Sequence, residues 1–76
     1  MPTFDYTVND ETQSTTEKIL TAQQILTNAG IDTDTNYLVQ IIGNTQKSYK
    51  DNPAEEIHMH PKMKFVAIFK GETPVA

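Results

Sequence analysis

The sequence predicts a two-layer α+β domain, with one helix packed on one face of a mixed sheet of four or five strands. Two observations lead to this prediction. Residues 20–31 carry the signals of a single amphipathic helix, including both of its ends. Residues 3–9 alternate between apolar and polar side chains, and residues 64–70 form an apolar run with lysines of equal parity at its two ends. Both patterns are typical of strands with one buried face. A helix of about ten residues is marginal alone in water, so it needs a sheet to lie on.

The helix is defined by the residues at its two ends. Thr21 is a good N-cap because its hydroxyl can accept a hydrogen bond from the first turn, and Gln24 can reach back to complete a capping box. Leu20 and Ile25 have the spacing of a hydrophobic staple. Gly30 can adopt the left-handed conformation that ends a helix. The apolar residues of the helix fall on one face: Ala22, Ile25, Leu26 and Ala29.

Two strands are predicted before the helix. Residues 3–9 form the first, and its alternate apolar side chains should be buried: Phe4, Tyr6 and Val8. Asn9 and Asp10 suit a tight turn because both residue types tolerate a positive φ. The polar, threonine-rich residues 11–19 then suit a solvated edge strand.

After a polar loop at residues 32–36, residues 37–42 form the next predicted strand. Gln40 is the polar residue of this apolar run, and we expect it to face solvent. That orientation points one set inward (Tyr37, Val39 and Ile41) and the other outward (Leu38 and Ile42). A turn at Gly43 and Asn44 leads into a short strand at 46–49.

The last third of the chain supplies one strand. In residues 54–63 we expect a single short helical turn, because Pro61 limits any longer element. In residues 64–70, Lys64 and Lys70 mark one side as solvent, so the other set should face inward: Phe65, Ala67 and Phe69. The first and last strands should lie side by side in the centre of the sheet, and parallel pairing there requires a right-handed crossover.

Composition excludes several classes of protein. The 76 residues suffice for one small domain, and the absence of cysteine excludes a disulfide framework and a thiol nucleophile. The net charge of −4, with six lysines and no arginine, argues against nucleic-acid binding. No apolar run approaches the roughly 20 residues of a membrane helix, and the first residues do not resemble a signal peptide. We expect a cytoplasmic protein without a cofactor.

The predicted order and size resemble the β-grasp fold of ubiquitin. Residues 4–10 resemble its opening hairpin. The helix with its Ala29-Gly30 end, residues 55–60, and residues 64–71 followed by 73–75 resemble the bacterial multiubiquitin domain. That family consists of ubiquitin-like modules found in operons with homologues of activating enzymes, conjugating enzymes and isopeptidases. The resemblance implies a β-grasp domain over residues 1–71 and a flexible C-terminal tail over 72–76.

The resemblance also implies a function. The chain would be a protein modifier, or a module, that acts with activating and conjugating enzyme homologues and an isopeptidase-type protease. An alternative is a β-grasp docking domain that is never conjugated, and a third class is a sulfur carrier of the thiocarboxylate kind. Ubiquitin-like modifiers often end in two glycines, whereas this chain has Gly71 alone, five residues from its end. Gly71 is therefore the candidate point of processing and conjugation.

A candidate partner-binding patch follows from the predicted strand faces. It combines the outward residues of two neighbouring strands: Leu38, Ile42, Val66 and Ile68. Lysines are expected at its rim: Lys47, Lys64 and Lys70. A contiguous exposed apolar patch with a polar rim usually marks a protein interface.

Two histidines are the candidate metal ligands. His58 and His60 would project the same way from an extended segment, beside two glutamates. A third ligand is not evident. We therefore expect Ile57 and Met59 to be buried, both histidines to face solvent, and no metal to bind.

The sequence carries no catalytic signature. Ser14 and Ser48 offer hydroxyls, but nothing places a base beside either of them. Asp32 and Asp34 lie in a polar loop, where turn formation explains them better than an acid–base pair. We therefore do not expect an enzyme.

Overall fold

The structure is a computed structural model that describes residues 3–70. It contains one helix and seven strands within that range. In chain order they are β1 (Phe4–Val8), β2 (Glu11–Thr15), β3 (Ile19–Thr21), α1 (Ala22–Asn28), β4 (Asn36–Ile42), β5 (Thr45–Ser48), β6 (Glu56–His58) and β7 (Met63–Phe69).

Five of these strands form one mixed sheet in the order β2-β1-β7-β4-β5. The neighbours β1 and β7 are parallel, with Tyr6 opposite Met63 and Val8 opposite Phe65. The other neighbouring pairs of this sheet are antiparallel. The α+β architecture and the adjacency of the first and last strands are therefore as the sequence predicts, and the structure shows that the pairing of these two strands is parallel.

The two remaining strands, β3 and β6, form a separate antiparallel pair. The predicted edge strand over residues 11–19 is therefore divided, because β2 ends at Thr15 and Ile19 belongs to β3. The helical turn predicted within residues 54–63 is wrong. Strand β6 occupies part of that segment because β3 supplies main-chain partners for it, with Ile19 opposite His58.

Both predicted ends of α1 are confirmed. The hydroxyl oxygen of Thr21 accepts a hydrogen bond from the Gln24 N–H at 3.1 Å, and the Gln24 side chain accepts one from the Thr21 N–H at 2.9 Å. At the other end Gly30 has a φ of +76°. Its left-handed conformation lets the Ile31 N–H donate to the Leu26 carbonyl at 2.9 Å.

The core lies between α1 and the sheet. Its buried residues come from every part of the described chain: Tyr6, Val8, Leu20, Ala22, Ile25, Leu26, Leu38, Tyr49, Ile57, Met59 and Phe65. The rings of Tyr6 and Phe65 meet edge to face, with centroids 5.9 Å apart. Burial raises the pKa of Tyr6 above its ordinary value of 10.0. Ala29 and Ala67 pack against this core, as predicted.

The orientation of β4 is opposite to the prediction. Leu38 is 1% exposed and belongs to the core, whereas Ile41 lies on the other face, opposite Lys64. Gln40 shares the face of Leu38 because Tyr49 packs on the helix side, and the Tyr49 hydroxyl donates to the Gln40 carbonyl oxygen at 3.2 Å. A hydrogen bond from within the protein thus supports Gln40 on the helix side, where it is half-buried.

Candidate protein-interaction surface

The side of the sheet turned away from α1 carries a strip of apolar side chains. The register of β4 and β7 brings them together, with Tyr37 opposite Ile68, Val39 opposite Val66, and Ile41 opposite Lys64. Residues directly opposite each other in an antiparallel pair share a face of the sheet. We call the apolar members of this strip the outer face: Tyr37, Val39, Ile41, Val66 and Ile68.

The outer face is a shallow surface that is partly in contact with water. Ile68 is 38% exposed, and Val39 at the middle of the strip is 6% exposed. Tyr37, Ile41 and Val66 are half-buried. Several adjoining apolar side chains of this kind indicate an interaction surface more strongly than a single exposed apolar residue does.

Polar residues border the outer face. Lys64 is exposed at the end of β7 nearest β1. The ammonium of Lys50 lies 5.5 Å from the centroid of the Tyr37 ring, within cation–π distance. On β5, Gln46 and Ser48 lie opposite the outward residues of β4 and are exposed. The exposed carboxylate of Asp5 lies on the same side of the sheet, near Lys64, so the border carries charges of both signs.

The predicted patch and the outer face overlap only in part. Lys64, Val66 and Ile68 lie where the sequence placed them. Leu38 is a correction, because it is buried in the core and cannot contact a partner. Ile42 is exposed, as expected, at 51%, but it shares the parity of Leu38 and therefore lies on the helix side of the sheet.

Of the two other predicted rim lysines, Lys47 lies away from the outer face, whereas Lys70 lies near Tyr37 at the end of β7. Lys47 is opposite Gln40, on the helix side, and its ammonium forms an ion pair with Glu55 at 2.9 Å. The hydrogen bond to Glu55 raises the pKa of Lys47 above 10.5. Lys70 follows the end of β7, where its N–H donates to the Thr35 carbonyl at 2.8 Å. It lines a cleft of about 220 Å³ together with Tyr37 and Lys50 of the outer face and its border, and with residues at the start of α1.

Sequence reasoning missed three residues of the outer face: Tyr37, Val39 and Ile41. Both faces of β4 are apolar, so alternation within this strand does not distinguish them. The signal for the orientation of β4 lies in β7. Lys64 shows which side chains of β7 face outward, and Ile41 faces outward as well because it lies opposite Lys64.

The histidine segment has the predicted orientation. Ile57 and Met59 are each 4% exposed, while His58 and His60 are exposed. Within residues 3–70, no group of three or more His, Cys, Asp and Glu side chains is placed to hold a metal ion. Gly71 and residues 72–76, the predicted processing point and tail, lie outside the described residues.

Comparison of the chain with protein-family profiles, curated proteins and solved structures gives no match. Over the described range, α1 is too short to cross a membrane, and no other helix is present there to do so. The outer face is therefore the feature from which a function is inferred.

Proposed function

We propose that this chain is a bacterial ubiquitin-like β-grasp protein of the multiubiquitin type, without enzymatic activity and cytoplasmic. Partner proteins bind its outer face. It serves as a protein modifier, or as a module, for activating and conjugating enzyme homologues and an isopeptidase-type protease.

The observation that carries this proposal is the outer face itself. An antiparallel pair, β4 and β7, presents five adjoining apolar side chains on the side opposite α1, with Lys50 and Lys64 at the border. A partner that covers this surface would remove the exposed part of Ile68 from water. Each square ångström of apolar surface buried in this way contributes about 25 cal/mol to the free energy of binding.

The β-grasp assignment has separate support. The first and last described strands are parallel neighbours, β7 also pairs with β4, and a single helix lies between β1–β2 and β4 along the chain. These features are compatible with the β-grasp fold that the sequence resemblance implies. The modifier role depends on Gly71, because a residue without a Cβ lets a main chain enter a narrow enzyme channel.

The outer face would equally serve a docking domain that is never conjugated, which is the second candidate. A modifier must expose a glycine carboxylate, whereas a docking domain needs no particular end. Both candidates require the outer face, but only the modifier forms a covalent adduct.

The two candidates are separated by the intact mass of the chain after incubation with the cognate activating enzyme, ATP and isopeptidase. The modifier reading expects loss of residues 72–76 and an adduct through the Gly71 carboxylate. Conjugation through an intact Ala76, or full activity of a Gly71→Val variant, would contradict it. An unchanged mass together with retained binding would identify the docking domain.

The outer face has a matched control within the same sheet. Ile68→Glu should weaken binding of the activating enzyme at least tenfold, because it puts a carboxylate into the apolar strip. Ile42→Glu alters an isoleucine of similar exposure on the opposite side and should leave binding unchanged. Equal effects of the two substitutions would show that the outer face is not the binding surface.

A further inference from the structure

One flank of β7 is only half paired. On its β4 side, β7 is paired from Lys64 to Phe69. On its β1 side, pairing ends at Phe65, because β1 ends at Val8. The second half of β7 therefore extends past β1 as an unaccompanied strand on that side.

Asn9 closes the ladder between β1 and β7. Its N–H donates to the Phe65 carbonyl at 3.1 Å, as a further strand residue would. Its φ of +53° turns the main chain away from β7, toward β2. The side-chain carbonyl of Asn9 then accepts the Ala67 N–H at 2.9 Å, in the position where a strand carbonyl would otherwise lie.

The next main-chain groups on this side are open. N–H and C=O groups of alternate strand residues point to the same flank, so those of Phe69 follow those of Phe65 and Ala67. Within residues 3–70, the Ala67 carbonyl and the N–H and carbonyl of Phe69 have no main-chain partner on this side. We call these three groups the open flank.

The side chains around the open flank are apolar on both faces of the sheet. Phe69 lies on the helix side of the sheet and is 57% exposed, and Ile68 lies on the opposite side and is 38% exposed. A strand that paired with the open flank would therefore cover apolar surface above and below its own main chain, besides making hydrogen bonds.

We propose that the open flank binds one short extended strand from a partner protein, which adds to the sheet beyond Asn9. The free N–H and carbonyl groups select a main chain in β conformation, and the exposed side chains select small apolar residues within it. The two edge strands of the chain's own five-stranded sheet, β2 and β5, contain only polar residues, so a second copy bound through either of them is poorly suited. This interface uses main-chain groups of β7 that the outer face does not use, although the two share the side chain of Ile68, and it does not require conjugation.

Amide hydrogen exchange of the full chain, measured by NMR, tests the first half of the proposal. The Ile68 N–H faces β4 and should be protected, whereas the Phe69 N–H should exchange at least tenfold faster. Equal protection would show that something already pairs with the flank, including residues of the same chain, and would overturn the proposal.

A peptide probe tests the second half. Acetylated and amidated Ser-Val-Val-Val-Ser should slow exchange at Phe69 and shift the resonances of Ala67 and Asn9. The same peptide with N-methylated valines cannot donate and should do neither. Protection that appears at β2 or β5 instead, or no effect of either peptide at millimolar concentration, would overturn the proposal.

Substitutions at residue 69 separate main-chain from side-chain effects. Phe69→Pro removes the open N–H and fills the flank, while the groups that pair with β4 stay in place. Phe69→Thr removes the aromatic ring but keeps the N–H. We expect Phe69→Pro to bind the peptide at least fivefold more weakly than Phe69→Thr, and equal affinities would refute pairing through the main chain.

Discussion

Leu38 provides the most direct test of how β4 is oriented. It is 1% exposed within the core, so Leu38→Ala leaves a cavity between the sheet and α1. Buried leucine-to-alanine substitutions cost about 2–5 kcal/mol of unfolding free energy. A domain of this size holds only a few kcal/mol in total, so the variant should be close to unfolding. Leu38→Met keeps the volume and should cost less than about 1.5 kcal/mol.

Ile42 is the matched control for this experiment. It lies on the same strand and parity, but it is 51% exposed. Ile42→Ala should cost less than about 1 kcal/mol, because much of its apolar surface is already in water.

Urea unfolding followed by far-ultraviolet circular dichroism measures these differences. A small domain has an m-value near the lower limit of about 1 kcal/mol per molar urea. A loss of about 2 kcal/mol then lowers the midpoint by about 2 M. A midpoint shift for Leu38→Ala no larger than that for Ile42→Ala would show that Leu38 is not in the core.

Three further predictions concern single residues. Ile68→Glu should change the unfolding free energy by less than about 1 kcal/mol, and an unfolded variant would show that Ile68 is packed inside. The raised pKa of Tyr6 means that the folded state keeps the phenol proton to higher pH than the unfolded chain. Stability is therefore fully present below pH 10 and falls as pH rises through the folded pKa. With Tyr6→Phe, the unfolding free energy from denaturant melts should decrease less steeply above pH 10. An unchanged dependence on pH would show that Tyr6 does not have a raised pKa. Lys62 has a φ of +65°, a main-chain conformation that glycine adopts without strain. Lys62→Gly should therefore raise the unfolding free energy by about 0.5–1 kcal/mol, and a lower unfolding free energy would refute strain at this position.

The elements that sequence reasoning predicted best are those whose signals are local. Thr21, Gln24 and Gly30 determine the ends of α1 through hydrogen bonds within a few residues of each other. The turn at Asn9 and Asp10 is confirmed by their φ values of +53° and +67°. Such features depend on side-chain chemistry at fixed spacing, so the sequence alone specifies them.

The features that sequence reasoning missed depend on distant partners. The alternation of Ile57 and Met59 predicts that both side chains are buried, but a strand at β6 also needs β3, which lies far away in the chain. The direction of Gln40 depends on Tyr49, a buried residue whose hydroxyl supplies its hydrogen bond. Lys64 and Lys70 correctly indicate which side of β7 faces outward, whereas the single uncharged amide of Gln40 does not indicate the orientation of β4.

The two proposed interfaces meet on β7, and substitutions at neighbouring residues distinguish them. Ile68 belongs to the outer face, and the next residue, Phe69, carries the open flank. A partner that binds side chains of the outer face should respond to Ile68→Glu and ignore Phe69→Pro, because the proline leaves that face unchanged. A partner that adds a strand should respond to Phe69→Pro more strongly than to Phe69→Thr. Because an added strand would also lie beside Ile68, sensitivity to Ile68→Glu alone does not assign a partner to the outer face. Insensitivity of the same partner to Phe69→Pro does.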